Sequence, residues 1–305
     1  MSALVIFTLL LILMLTGMPI SIALGLTVLT FLFTMTSVPI EAVALKLFTG
    51  IEKFEIMAIP FFILAGNFLT HGGVARRMIQ FASSMVGHWY GGLGLAGVLA
   101  CALFAAVSGS SPATVVAIGS ILLPAMVKAG FPTRFGAGVI TTSGALGILI
   151  PPSIVMVMYA VATNSSVGAL FMAGVIPGLL LAGFLGFTTW YRARKHNYPR
   201  QPKADFATRM KALRESIWGL LLIVIVMGGI YTGLFTPTEA AAMSAVYAFV
   251  IAVFVYKDMS LKDVPRVLLN SASMSAMLLY IITNAVMFSF IMTNENIPQP
   301  LADWT

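Results

Sequence analysis

Charge is the first thing this chain lacks. Only 9% of its 305 residues are Asp, Glu, Lys or Arg, against 59% hydrophobic. A soluble domain carries about 25% charged residues, so this chain cannot cover a water-facing surface. Cysteine is nearly absent as well. Cys101 stands alone in an apolar run, which leaves no partner for a disulfide within these residues and reads as core packing. Histidine is equally scarce: His71, His88 and His196 fall at the edges of apolar segments or in loops. With no cluster of acids, no phosphate loop and no nucleophile beside a base, a transition-metal centre and a membrane-embedded enzyme have little to build on. The net charge of +7 would suggest nucleic acid in a soluble protein. Here it is concentrated in one segment and reads as membrane orientation instead, so no nucleic-acid partner is expected.

What is there is a series of apolar segments near the roughly 20 residues that cross a bilayer. Glycine (27 copies) and proline (15 copies) are frequent, as in transmembrane helices whose neighbours satisfy freed backbone groups. Met1 to Leu15 has neither a basic start nor a cleavage pattern and reads as a first membrane helix. Ala3–Leu15 and Ile20–Thr36 are divided by Thr16-Gly17-Met18-Pro19. A segment carrying Glu41, Lys46, Glu52 and Lys53 is expected at the interface. Phe54–Thr70 stops at His71-Gly72-Gly73, and Arg76 and Arg77 mark a loop. Gly91–Val127 and Phe135–Ala162 follow, each interrupted, and then Leu170–Trp190. Ile217–Phe235 and Ala240–Tyr256 form a pair turned by Thr236-Pro237-Thr238-Glu239, and Val267–Met292 is a further apolar stretch. Trp89 and Trp190 suit interfacial belts.

The segment Tyr191–Glu215 holds Arg192, Arg194, Lys195, Arg200, Lys203, Arg209, Lys211 and Arg214 out of seventeen basic residues. The positive-inside rule places it in the cytoplasm. Parity then puts Asn164–Gly168 outside, Lys128 and Arg134 inside, and Arg76 and Arg77 inside. Gly91–Val127 must therefore enter and leave on one face, as a re-entrant hairpin. Residues 37–53 and the N-terminus fall outside.

The hairpin tip, Ser108-Gly109-Ser110-Ser111-Pro112, is polar, and a tip inside the bilayer is tolerated only where buried in protein or lining a watery cavity. The second interruption, Gly147-Ile148-Leu149-Ile150-Pro151-Pro152-Ser153, lies near the middle of its span, and its prolines remove amide donors. Carbonyls freed in this way, with nearby hydroxyls, suit a sodium ion, while half-helix N-termini face an anionic substrate. Ser108 and Ser111 would supply hydroxyl oxygens, and Gly147, Ile150 and Pro151 carbonyl oxygens. The plain alternatives are an ordinary turn at the serines and a kink at the prolines. Asn67 either lines a pathway or joins helices. Thr-Pro-Thr-Glu at 236–239 reads first as a helix cap, with proton coupling by Glu239 the lesser reading.

These residues resemble a known family. Gly17-Met18-Pro19-Ile20, Ile59-Pro60-Phe61-Phe62-Ile63-Leu64-Ala65-Gly66, Ser108 to Thr114, Gly147 to Ser153 and Thr236 to Ala242 are similar, in order and along the whole chain, to the large membrane subunit of tripartite ATP-independent periplasmic (TRAP) transporters. The resemblance implies an all-α polytopic fold like that of the ion-transporter superfamily. That fold has inverted repeats, each with a re-entrant hairpin and a broken transmembrane helix, and works as an elevator. It implies sodium-coupled uptake of a small carboxylate, such as a C4-dicarboxylate or sialic acid, across the bacterial inner membrane. Partners would be a small four-helix membrane subunit and a periplasmic binding protein that delivers the substrate. Sodium is the coupling ion, and no cofactor and no enzyme activity are implied. The sodium site would use Ser108, Ser111, Gly147, Ile150 and Pro151, and the substrate pathway Asn67, Ser110, Thr114 and Ser153.

The expected organisation is a first repeat over 1–190, with hairpin 91–127 and broken helix 135–162, then a basic cytoplasmic loop over 191–216 and the start of a second repeat over 217–305. No second Ser-Gly tip or Gly-x-x-Ile-Pro break follows the basic loop, so a chain truncated at its C-terminus is expected. A membrane scaffold without a pathway is the competing reading; it requires continuous helices through Ser108–Pro112 and Gly147–Ser153.

Overall fold

The computed structural model describes residues 2–36 and 39–296, and the described residues are helical with no strand. Fourteen α-helices follow one another among them. They are α1 Ser2–Leu15, α2 Ile20–Met35, α3 Ile40–Thr49, α4 Ala58–His71, α5 Val74–Val86, α6 Gly92–Ser108, α7 Ser111–Lys128, α8 Thr133–Gly144, α9 Leu146–Leu149, α10 Ile154–Thr163, α11 Val167–Lys195, α12 Phe206–Tyr231, α13 Pro237–Val250 and α14 Val264–Asn294. A 3-10 turn, Phe54–Met57, leads into α4, and a π turn, Ile251–Val255, continues α13. Among the described residues six helices are long and apolar enough to cross a bilayer. The pair Thr133–Leu149 and Ile154–Thr163, bent by 42°, makes a seventh if taken as one span. The chain is thus an all-α, multi-pass membrane protein.

Two compact units divide the described residues: one runs up to Ile56 and resumes at Ser273, and the other is Met57–Ala272. In the first unit Ile6, Val28, Phe31, Leu32, Val43, Met287 and Ile291 form one apolar cluster. Phe7 meets Phe288 edge-on there. The amphipathic segment expected near Glu41 and Lys46 is α3, and Lys46 Nζ lies 5.4 Å from the Phe290 ring centre.

In the second unit α6 is the central rod. Nearly every residue from Gly92 to Ser108 is buried, as a helix apolar on all faces requires. Cys101 is wholly buried there. Helix α4 packs closely on α13, whose Ala241, Ala245 and Ala248 let the backbones approach. Phe68 and Phe249 meet across this contact, ring centres 5.5 Å apart and planes tilted by 59°. The turn Thr236–Glu239 is a capping box: the Thr236 amide donates to Glu239 Oε2 at 2.8 Å, and the Glu239 amide donates to Thr236 Oγ1 at 3.3 Å.

Two expectations change. Arg76 and Arg77 do not mark a loop: they lie in α5. That helix buries Val74, Ala75, Met78, Ile79 and Ala82 along one face and leaves its charges on the other, a pattern too short to span and too apolar to be a loop. The basic segment 191–216 is largely helical, since α11 runs to Lys195 and α12 begins at Phe206. Only residues 196–205 lie between them.

Candidate functional site

Both interruptions seen in the sequence are breaks in the structure, against the continuous helices that the scaffold reading requires. Helix α6 ends at Ser108, Gly109 turns with φ of 62°, and Ser110 is extended and caps α7. Its Oγ accepts from the Ala113 amide at 3.5 Å. The other break follows α9. Ile150 and Ser153 are extended, Pro151 and Pro152 are joined by a cis peptide bond, and α10 starts at Ile154.

The two breaks touch. The Ile154 amide donates to the Gly109 carbonyl at 3.0 Å. In a continuous helix that amide would have served Ile150, so the Ile150 carbonyl loses its ordinary partner. The carbonyls of Gly147 and Ile148 would likewise accept from residues 151 and 152, both prolines without an N–H. Gly147 lies against the start of α7: a Cβ there would sit 2.9 Å from the Ser111 nitrogen and 3.0 Å from the Ser110 carbonyl carbon. Only a residue without a side chain allows this approach. Gly66 of α4 closes another side, where a Cβ would lie 3.3 Å from both Ser108 Cβ and the Ser108 carbonyl oxygen. Since Gly147 and Ile154 flank the midpoint of Thr133–Thr163, the hairpin tip meets the broken span near its middle.

Four helix ends therefore converge: the C-termini of α6 and α9 and the N-termini of α7 and α10. Partial negative charge gathers at the first two and partial positive charge at the second two. Such a point can hold a cation on carbonyl oxygens and attract an anion to amides.

The hydroxyls are arranged to match. Ser108, Thr114, Ser143 and Ser153 are fully buried. Thr114 Oγ1 donates to the Ser110 carbonyl at 2.8 Å. With that proton committed, the Ser108 hydroxyl 3.1 Å away donates to Thr114, and the lone pairs of Ser108 Oγ stay available. Ser153 Oγ and Ser143 Oγ are buried without a hydrogen-bond partner. An unmet buried hydroxyl costs about 1–3 kcal/mol, so Ser153, next to Ile154 at the junction, favours a bound guest. All these donors are hard oxygens, suited to a small dehydrated cation. No group of three or more His, Cys, Asp or Glu that could hold a metal ion exists among the described residues.

The expected site residues Ser108, Ser110, Ser111, Thr114, Gly147, Ile150, Pro151 and Ser153 thus belong to one junction. Asn67 follows Gly66 on α4, but its Nδ2 donates to Ser271 Oγ at 2.7 Å, so it joins α4 to the start of α14. Glu239 is exposed and engaged in its cap, which leaves it no place in this junction. Ser143 was not expected. Its signal was its position four residues before Gly147, on the same helix face.

Comparison with known proteins gives a consistent answer. Residues 7–305 match the family described as "Tripartite ATP-independent periplasmic transporter, DctM component". The chain is 77% identical to the C4-dicarboxylate TRAP transporter large permease protein DctM of Rhodobacter capsulatus, over 100% of this chain and 72% of that protein. It is 54% identical to the protein so named in Pseudomonas aeruginosa, over 87% of this chain and 62% of the relative. With the sialic acid TRAP transporter large permease protein SiaM of Vibrio cholerae it shares 36% identity, over 94% of this chain and 67% of the relative.

Proposed function

Because the chain belongs to the DctM component family of tripartite ATP-independent periplasmic transporters, we propose that it carries the translocation pathway for sodium-coupled uptake of a C4-dicarboxylate across the inner membrane. A permease moves its cargo without converting it, and the family is not one of enzymes. The choice of a C4-dicarboxylate over sialic acid rests on identity: 77% and 54% with relatives named for the former, 36% with one named for the latter.

The observation that carries the reading is the junction of the two breaks, with Ser153 Oγ buried and unmet beside it. Sodium would be held by Ser108 and Ser111 hydroxyls and by the carbonyls of Gly147, Ile150 and Pro151. Ser143 and Ser153 are the reserve oxygens. The α7 and α10 N-termini, with Ser110 and Thr114, would face the carboxylates of the substrate. Sodium offsets part of the anion's charge before the junction moves, and so lowers the cost of carrying it through the hydrocarbon layer. The hairpin is re-entrant in this reading, with the N-terminus periplasmic and the basic segment 191–216 cytoplasmic. A small membrane subunit and a periplasmic binding protein complete the system, and the moving body is the core around α6, in the manner of an elevator.

The test is uptake of labelled succinate into proteoliposomes holding the chain in its native complex, with the binding protein outside. Uptake that follows an inward sodium gradient supports the proposal. Succinate uptake indifferent to sodium overturns the coupling, and its absence with all components present overturns the substrate.

A further inference from the structure

A second polar region lies far along the chain from the junction, where α5, α12 and the end of the π turn change together from apolar to charged. On α12 the charged run Arg209–Glu215 gives way at Ile217 to an apolar stretch. After the π turn the chain passes from Val255 to Tyr256, Lys257 and Asp258. Helix α5 presents Arg76, Arg77 and Gln80. Between these elements opens a cleft of about 660 Å³ whose walls include Arg76, Arg77, Lys211, Arg214, Trp218 and Tyr256.

Its charge is unbalanced. Asp258 pairs with Arg76, at 3.2 Å, and with Arg77. Arg77 also stacks on the Tyr256 ring at 3.7 Å, so it is fixed in place. Lys211 and Arg214 form no ion pair with a described residue. Four cations face the carboxylates of Asp258 and Glu215, which leaves two positive charges unmatched. A neighbouring cleft of about 680 Å³ shares Gln80, Lys211 and Glu215 and adds Ser83, Ser84 and Gln201, neutral groups suited to hydroxyls.

Below the charges the wall is apolar and uncovered. Trp218, Leu221 and Val224 on α12 are exposed, as are Val246, Val250 and Phe254 on α13 and its π turn. Tyr247 of α13 donates to the Trp218 carbonyl at 2.9 Å and holds the two helices side by side. Both helices are long and apolar enough to cross a bilayer, so a ligand that enters this cleft from the membrane meets an apolar face as well as the cations, whereas a free dicarboxylate or phosphate would use the cations alone. A molecule with an anionic head and long apolar tails uses both. We propose that this cleft binds an anionic phospholipid: its phosphate lies between Lys211 and Arg214, its headgroup hydroxyls reach toward Gln80 and Ser83, and its acyl chains run along α12 and α13. The bound lipid fastens α5, the amphipathic link into the hairpin, to the membrane surface.

The test titrates the purified chain in detergent with phosphatidylglycerol, phosphatidylcholine, inorganic phosphate and succinate. It reads melting temperature and retained lipid by native mass spectrometry. Phosphatidylglycerol is expected to raise the melting temperature and stay as a one-to-one adduct, and the other three to do neither. Lys211→Gln with Arg214→Gln should weaken retention by about fivefold for each removed cation, whereas Arg192→Gln with Lys195→Gln should not change it. Equal retention of phosphatidylcholine, equal stabilisation by phosphate or succinate, or unchanged retention in the Lys211 and Arg214 variant overturns the proposal. Should that variant not fold, Arg76→Gln, on a half-exposed side chain, takes its place with the same criteria.

Discussion

The amide of Ile154 and the carbonyl of Gly109 lie 3.0 Å apart, and this one bond makes the hairpin tip and the broken span a single structure. It consumes a donor that a continuous helix would have given to Ile150 and so turns a defect in one segment into a contact between two.

Gly147→Ala tests the closeness of that junction. The new methyl would lie 2.9 Å from the Ser111 nitrogen, a backbone atom that cannot swing aside. Overpacking of this kind costs about 1–3 kcal/mol. A lowered melting temperature together with a lost response to sodium is the expected outcome. Wild-type values for both in this variant would mean that the tip and the break are not held as described.

Ser153→Ala separates stability from ion binding. Its hydroxyl is fully buried and unmet, so without sodium its removal should raise stability, by up to about 1–3 kcal/mol. With sodium the order should reverse. An ion at a hundred times its dissociation constant stabilises the wild type by about 2.7 kcal/mol, and the variant should gain less. Melting curves in sodium and in choline chloride read both effects. Destabilisation in choline would show that the hydroxyl already has a partner.

Thr236→Ala removes one half of the cap on α13 and should cost about 1 kcal/mol. Glu239→Gln keeps the geometry and removes the charge, and transport should keep its pH profile. A flattened profile would bring Glu239 into proton coupling after all.

Asp263 sits just ahead of α14, outside the membrane-spanning segments. Its carboxylate accepts from the Ser260 hydroxyl at 2.7 Å and from the Ser260 amide at 3.1 Å. These bonds, the hydroxyl first, hold its pKa below the ordinary 3.8. A carboxyl lowered on folding stabilises the folded state above its unfolded pKa, and that contribution is lost as pH falls through the folded value. Asp263→Asn should therefore be less stable than the wild type at neutral pH, and the two should converge once the medium is well below pH 3.8. Denaturation midpoints across that range decide it; a constant difference at all pH values would exclude the carboxylate as the cause.

Much of this was legible in the chain. The spans could be read because a bilayer demands long apolar helices, and both breaks because proline and glycine leave backbone groups unmet whatever the surroundings. The cap at Thr236 is a local pattern and formed as read. Arg76 and Arg77 were misplaced because α5 is short and amphipathic, and its charges resemble those of a loop until its buried face has something to pack on. Asn67 had two readings, and only the position of Ser271, 204 residues away, decided that it joins helices.

The sequence by itself determined that this protein lives in a membrane, that long apolar segments are there to cross it and where the helices must break, since each follows from the chemistry of nearby residues. Only the tertiary structure decided that Gly109 meets Ile154 and that Lys211 shares a cleft with Arg76. Those pairings join helices distant in sequence, and the close approach of Gly66 and Gly147 to the hairpin tip depends on how whole helices stack rather than on any local rule.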